Sequence, residues 1–181
     1  MPRAVTILAA AVALGASGVG AYQLAPQPAA TSAHWRELAW PFPRDGWPAG
    51  RAFRCEGGGC DGAELYIRAK RGFCNCDSGV ADDDEVDRVA DIDLITPRFA
   101  ATAPGEVVRV GELHGRARRY DLAIYDGASH AAAGIAVSRH CDLFVAAAQG
   151  RGDANAMQHA ALAFLGTQEM KTWVTAALDG K

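Results

Sequence analysis

The sequence contains no long run of basic residues and no excess of positive charge. Its 181 residues include 18 lysines and arginines against 21 aspartates and glutamates, which gives a formal net charge of −3. Proteins bind nucleic acid through clustered cationic surfaces that neutralise phosphates. Because the chain lacks such a cluster, we predict that nucleic acid is not a partner.

Motifs that mark common catalytic or metal chemistry are also missing. The chain has no Gly-x-Ser-x-Gly segment, no Cys-x-x-Cys pair and no run of methionines, and its five histidines are scattered. Serine hydrolases and zinc knuckles depend on the first two of these patterns. The sequence therefore predicts no catalytic residue and favours a non-enzymatic protein without a cofactor.

An uncharged, apolar segment lies near the start of the chain. Arg3 supplies a positive charge, and residues 4–21 carry none and consist mostly of Ala, Val, Leu, Ile and Gly. This pattern is typical of an export signal. Two outcomes stay open: cleavage before Tyr22, or retention of residues 1–25 as an anchor across a bilayer core of about 30 Å. Both predict a periplasmic or secreted protein, which in the second case is anchored in the inner membrane and faces the periplasm.

Residues 26–41 form an arm rich in proline and tryptophan, ahead of a single domain over residues 42–181. Proline-rich composition favours an extended tether, but a tether does not need Trp35, Trp40 and the nearby Trp47. These indoles either pack on the domain or present an aromatic surface to a protein partner or to the membrane interface. They are therefore candidate partner contacts.

Apolar patterning after residue 50 predicts an α+β fold. Six strands are expected, over residues 51–55, 65–70, 106–113, 117–125, 134–139 and 142–148. Asp82, Asp153 and Thr167 are expected to cap helices. The order of these elements predicts an antiparallel sheet of about six strands packed by helices, which becomes a three-layer sandwich if helices cover both faces.

Three local expectations follow from the same patterns. The 142–148 strand is apolar over most of its length, which predicts a central strand covered on both faces. Arg68 and Lys70 alternate with apolar residues and are expected on a solvated face of their strand. His114 and Gly115 are expected to form the hairpin turn between the third and fourth strands.

The cysteines of the chain are Cys55, Cys60, Cys74, Cys76 and Cys141. In an exported domain the first expectation is disulfide bonding. Strain argues against a bridge within the Cys-x-Cys loop, so Cys74 and Cys76 should have different partners. The favoured pattern joins the Cys-x4-Cys turn to the Cys-x-Cys loop and leaves Cys141 unbridged, and a bridge from Cys55 to Cys141 is also open.

A metal site is the alternative for four of these residues. Soft thiolate ligands for Cu(I) or Zn(II) would come from Cys55, Cys60, Cys74 and Cys76. A redox dithiol at the Cys-x-Cys loop is a third interpretation. It is poorly supported because the acids that follow the loop would raise, not lower, a thiol pKa.

Residues 77–93 hold eight acids against one base, Arg88. Four of these acids begin the predicted helix, where they complement the helix dipole: Asp82, Asp83, Asp84 and Glu85. They form either a solvated helix face or an acidic docking surface for a protein partner. The sequence as a whole predicts an exported, non-enzymatic accessory or binding protein with a disulfide-bonded domain. The alternative is a periplasmic copper- or zinc-binding accessory protein.

Overall fold

The computed structural model describes residues 33–57, 60, 62–73, 76–124 and 129–180. Within them, helices pack on an antiparallel sheet, so the predicted α+β class is confirmed, with eight strands where about six were expected. No helix in these ranges is long and apolar enough to cross a membrane. The signal or anchor predicted over residues 1–25 lies outside the described residues.

The strands and helices alternate in blocks along the chain. The strands are β1 (His34–Leu38), β2 (Arg51–Glu56), β3 (Glu64–Lys70), β4 (Phe99–Ala101), β5 (Glu106–Val110), β6 (Leu113–Ala123), β7 (Ser129–Arg139) and β8 (Asp142–Gly150). The helices are α1 (Asp83–Val89), α2 (Ile92–Ile95), α3 (Ala154–Leu165) and α4 (Gln168–Asp179). The sheet order is β1-β2-β3-β8-β7-β6-β4, and β4 and β5 pair with different halves of β6.

The middle of the sheet is formed by β8, which lies between β3 and β7. All six of its residues from 143 to 148 are buried. Phe144 and Ala146 belong to the core that α3 and α4 cover, whereas Leu143 and Val145 belong to the core that α1 covers. Because alternate residues of a strand point to opposite faces, each face of the sheet has its own core. The prediction of a central strand covered on both faces is confirmed.

The predicted helix caps are present. Asp82, Asp153 and Thr167 each accept a hydrogen bond from the backbone N–H three residues later, at 2.8, 2.8 and 3.4 Å. Such bonds satisfy N–H groups that have no partner inside the first helical turn. The helix starts were therefore correctly placed from sequence.

The turn between β5 and β6 lies earlier than predicted. It is formed by Gly111 and Glu112, and His114 and Gly115 already lie within β6. Gly111 has a φ of 60°, which a tight turn requires and a glycine adopts at little cost. Gly115 serves another purpose, since a side chain there would collide with the Ala136 carbonyl of β7.

Two strands were not expected. β1 lies within the proline- and tryptophan-rich arm and pairs with β2 over its whole length. β4 has three residues and pairs with the second half of β6. Short edge strands carry little periodicity, which explains why the sequence pattern missed both.

Candidate functional site

The first disulfide closes the turn between β2 and β3. Cys55 is bridged to Cys60, with their Cα atoms 5.9 Å apart, and both residues are buried. The Gly62 N–H donates to the Cys55 carbonyl, which folds the turn back on itself. The favoured pattern, which joined this turn to the Cys-x-Cys loop, is therefore wrong. β3 carries the chain away from the turn before that loop begins.

The second disulfide joins Cys76 to Cys141, whose Cα atoms are 4.3 Å apart. Its position follows from the sheet, because Lys70 at the end of β3 pairs with Leu143 at the start of β8. The residues that follow β3 therefore lie beside the residue that precedes β8. Cys141 was expected to be unbridged, which is also wrong. Cys74 lies outside the described residues.

Metal binding through the cysteines needs free thiolates. Three of the four proposed ligands, Cys55, Cys60 and Cys76, are bridged in the structure. Among the residues that the structure describes, no group of three His, Cys, Asp or Glu side chains is placed to hold a metal ion. The copper or zinc alternative therefore requires a reduced form of the protein.

The acidic first turn of α1 is bound to the sheet. The Asp83 carboxylate accepts hydrogen bonds from the Gly105 N–H at 2.9 Å and from the Arg116 guanidinium at 2.6 Å. These two donors hold the pKa of Asp83 below its ordinary value. One turn later, Asp87 pairs with Arg118 at 2.6 Å. Two arginines of β6 thus neutralise the negative charges of two acidic residues of α1.

The four acids proposed as partner contacts have different roles. Asp82 caps α1, Asp83 binds Gly105 and Arg116, Glu85 pairs with Arg88 at 2.6 Å, and Asp84 is exposed. Charges that are already matched within a protein attract a second partner weakly. The helix is therefore a poorer docking surface than its composition indicates.

The tryptophans of the arm are half-buried. Trp35 stacks on Phe164 of α3 with ring centroids 5.5 Å apart. On the other face of the sheet, Trp40 and Phe42 contact Tyr66 edge-on, with ring centroids 6.3 and 4.7 Å from that of Tyr66. The arm therefore packs on the domain, which is one of the two interpretations that the sequence left open.

A buried ionic cluster lies on the face of β3 that was expected to be solvated. Only 4% of Arg68 and 5% of Lys70 is exposed. Asp91 accepts hydrogen bonds from both side chains, at 2.5 Å from Arg68 Nε and 2.5 Å from Lys70 Nζ. The expectation was wrong because β3 is an interior strand and its second face is covered by α1, α2 and the chain before β2.

We call residues 41–50, which lead into β2, the strap. Asp45 of the strap pairs with Arg68 at 2.8 Å, and this hydrogen bond lowers the pKa of Asp45. The same carboxylate accepts a hydrogen bond from the backbone N–H of Trp47 at 3.2 Å. The Trp47 indole then meets Phe73 edge-on at 5.2 Å. Asp45 therefore both fastens the strap to the sheet and positions Trp47.

A groove of about 500 Å³ lies between the strap and α4. Its surface includes Trp47 and Ala49 of the strap, Ala69 and Arg71 at the end of β3, and Trp173 and Ala177 of α4. The two indoles supply aromatic surface, and the alanines leave space between them. A concave site of this size is within the range that holds small ligands or a short piece of a partner.

Arg71 gives the groove its positive charge. Its guanidinium lies close to Gly180, at the C-terminal end of α4, where the helix dipole supplies about half a negative charge. The nearby Asp179 pairs with Arg139 at 2.7 Å. Within the described part of the chain, no carboxylate forms an ion pair with Arg71. The groove therefore keeps an arginine whose charge is only partly compensated.

Sequence reasoning named Trp47 but missed two other residues of the groove. Trp173 falls on the apolar face of α4, where a core position is the ordinary expectation, and it does contact the core through Phe144, with ring centroids 6.2 Å apart. Arg71 carries no motif that marks it. The groove joins three segments that are distant in the sequence, so no local pattern could have found it.

The fold and the bridges define a disulfide-bonded α+β domain with an aromatic groove. No protein-family model matches the chain, and no curated protein matches its sequence. A crystal structure from Pseudomonas aeruginosa, of the protein of unknown function PA94, described as a candidate regulator, is similar at 12% identity and a TM-score of 0.34. The similarity covers 74% of this chain and 76% of that chain. A likeness this weak carries no argument about function.

Proposed function

We propose that this protein is an exported, non-enzymatic accessory protein that binds a protein partner through the groove between the strap and α4. Two disulfides support export, because such bridges persist in the periplasm and outside the cell. The apolar segment over residues 4–21 supports the same compartment, either as a cleaved signal or as an inner-membrane anchor.

The groove is the observation that carries this proposal. Tryptophan and arginine are enriched among the residues that dominate binding energy at protein interfaces, and here Trp47, Trp173 and Arg71 line one concave surface. The acidic helix offers less, since Asp83 and Glu85 are engaged within the protein. The binding surface that we propose is therefore the groove, with the strap as one of its sides.

The intact mass of the exported protein tests the compartment and the metal alternative together. Two bridges remove four hydrogens (2 × 2 = 4), so we expect a native mass four hydrogens below the reduced value and one thiol alkylated after denaturation. A chain that starts at Tyr22 indicates cleavage, and one that keeps residues 1–21 indicates an anchor. Release of a metal ion, followed by alkylation of every cysteine, would contradict the bridged form and support copper or zinc binding.

Photo-crosslinking in the cells that export the protein tests partner binding. Benzoylphenylalanine placed at the exposed Ala49 should give a discrete adduct, and the further change Trp173→Ala should abolish it. The matched control places the same group at Val107 of β5, which is 74% exposed and does not line the groove. β5 pairs with β6, whereas the groove lies at the end of β3. Equal adducts from both positions, or an adduct that survives Trp173→Ala in a folded variant, would count against the groove.

A further inference from the structure

We infer that the groove recognises the carboxyl terminus of a polypeptide, with the α-carboxylate on Arg71 and the last apolar side chains against Trp47 and Trp173. The inference rests on the proposed function and names the part of the partner that the groove takes. Its basis is the placement of one arginine without a carboxylate partner, among the described residues, at one end of an otherwise uncharged aromatic surface.

The charge of the groove matches a single carboxylate. Arg71 is the one charged side chain among the described residues that line it. A guanidinium presents a planar pair of N–H groups that binds a carboxylate through two parallel hydrogen bonds. The C-terminal dipole of α4 offsets part of this charge but cannot replace a full anion. The guanidinium of Arg51 also packs on the Trp173 ring, 5.6 Å from its centroid, but it is already paired with Glu37 at 2.7 Å.

The apolar part of the groove lies at a distance that suits a short chain end. Gly180, beside the Arg71 guanidinium, follows Trp173 by seven residues of α4, which is about 10 Å along the helix axis. Three extended residues span about the same length. With its carboxylate on Arg71, a chain end would thus place its last side chains beside Trp173 and Trp47. The small Ala69 and Ala177 leave room for them.

The end of the groove near Arg71 favours a terminus over an internal acidic residue. The guanidinium packs so closely on Gly180 that a side chain at this position would collide with it. Arg71 thus bridges the end of β3 and the end of α4. A chain that continued past the carboxylate would meet this bridge, whereas a chain that stops there would not.

Peptide titration of the full, disulfide-bonded protein tests the inference. Acetyl-Ala-Ala-Phe with a free carboxylate and the same peptide as its amide are titrated, and tryptophan fluorescence reports binding. We expect the amide to bind about tenfold more weakly or worse, because a hydrogen-bonded charge pair is lost. Arg71→Gln should weaken binding of the free acid to that of the amide. Arg109→Gln, which changes an exposed arginine of β5 outside the groove, should leave both affinities unchanged.

Each other outcome overturns the inference in a distinguishable way. Equal binding of acid and amide rejects the role of the carboxylate but leaves the groove as a binding surface. If the amidated peptide acetyl-Ala-Asp-Phe binds as tightly as the free acid, a carboxylate is recognised but a chain end is not. Failure of every peptide to bind rejects the inference, and the proposed function then depends on the adduct at Ala49. Thermal unfolding of Arg71→Gln confirms that the variant is folded.

Discussion

Reduction of the Cys76–Cys141 bridge is expected to lower the free energy of unfolding by about 4 kcal/mol. The two cysteines are 65 residues apart in the sequence. A disulfide restricts the unfolded chain, and this effect grows with the logarithm of the length of the closed loop. The loop contains α1, α2 and β4 to β7, so the bridge constrains much of the domain. Its loss should therefore be the larger of the two possible disulfide losses.

The short bridge supplies the matched control. Cys55 and Cys60 are five residues apart, for which the same argument gives about 2 kcal/mol. Two variants are needed, each with one cysteine pair and Cys74 replaced by alanine, so that a single bridge remains. Urea unfolding of each variant, oxidised and reduced, isolates the bridge without a change in packing. Equal losses on reduction, or a larger loss for the short bridge, would contradict the expected order.

The two bridges also differ in access. Cys76 is exposed and Cys141 half-buried, whereas Cys55 and Cys60 are both buried. Reductants attack accessible sulfur atoms first, so the bridge with the larger stabilising effect is also the easier one to open. Small domains have total stabilities of about 5–15 kcal/mol, and a loss of about 4 kcal/mol is a large share of that. This combination suits a protein that works in an oxidising compartment.

Regular elements with a strong local pattern could be predicted from the sequence. β8 was found because residues 143–148 are apolar throughout, and the helix starts were found because Asp82, Asp153 and Thr167 precede apolar periodic segments. The pairing of Cys76 with Cys141 was not found, although it follows once β3 and β8 are known to be neighbours. Strand order depends on the whole chain, and a local pattern does not contain it.

The buried charges were missed for a related reason. Alternation of Arg68 and Lys70 with apolar residues is the ordinary pattern of a half-exposed strand. Their common partner, Asp91, lies more than twenty residues later in a left-handed conformation with a φ of 63°. Only the packing of α1 and the strap on the sheet brings these groups together. The groove has the same origin, since its residues come from the strap, the end of β3 and α4.

Asp91→Asn is expected to destabilise the protein by about 3–5 kcal/mol, since it leaves Arg68 and Lys70 buried without their shared anion. Asparagine keeps the size of the side chain and tolerates the left-handed backbone, so the change removes charge and little else. Urea unfolding near neutral pH measures the loss. Because the cluster is buried, the effect should persist at high salt, unlike that of a surface ion pair.

Two further variants separate the buried charge from general damage. Asp45→Asn removes the negative charge of the other partner of Arg68, but the Asp45 side chain is 32% exposed, so a loss of about 0–1 kcal/mol is expected. Adding Lys70→Met to Asp91→Asn removes one of the stranded cations and should restore part of the lost stability. If Asp91→Asn costs no more than Asp45→Asn, the cluster is not the structural element that its burial indicates.

The same cluster connects the core to the groove. Arg68 donates hydrogen bonds to Asp91 and pairs with Asp45 of the strap. Asp45 in turn accepts a hydrogen bond from the backbone N–H of Trp47. Asp45→Ala removes the side-chain acceptor and should therefore speed hydrogen exchange at the Trp47 backbone amide, while the global free energy of unfolding changes little. Asp91→Asn should alter both quantities, because it displaces Arg68 itself. Exchange at the Trp47 backbone amide that stays unchanged in Asp45→Ala would mean that the strap is held by its aromatic contacts alone.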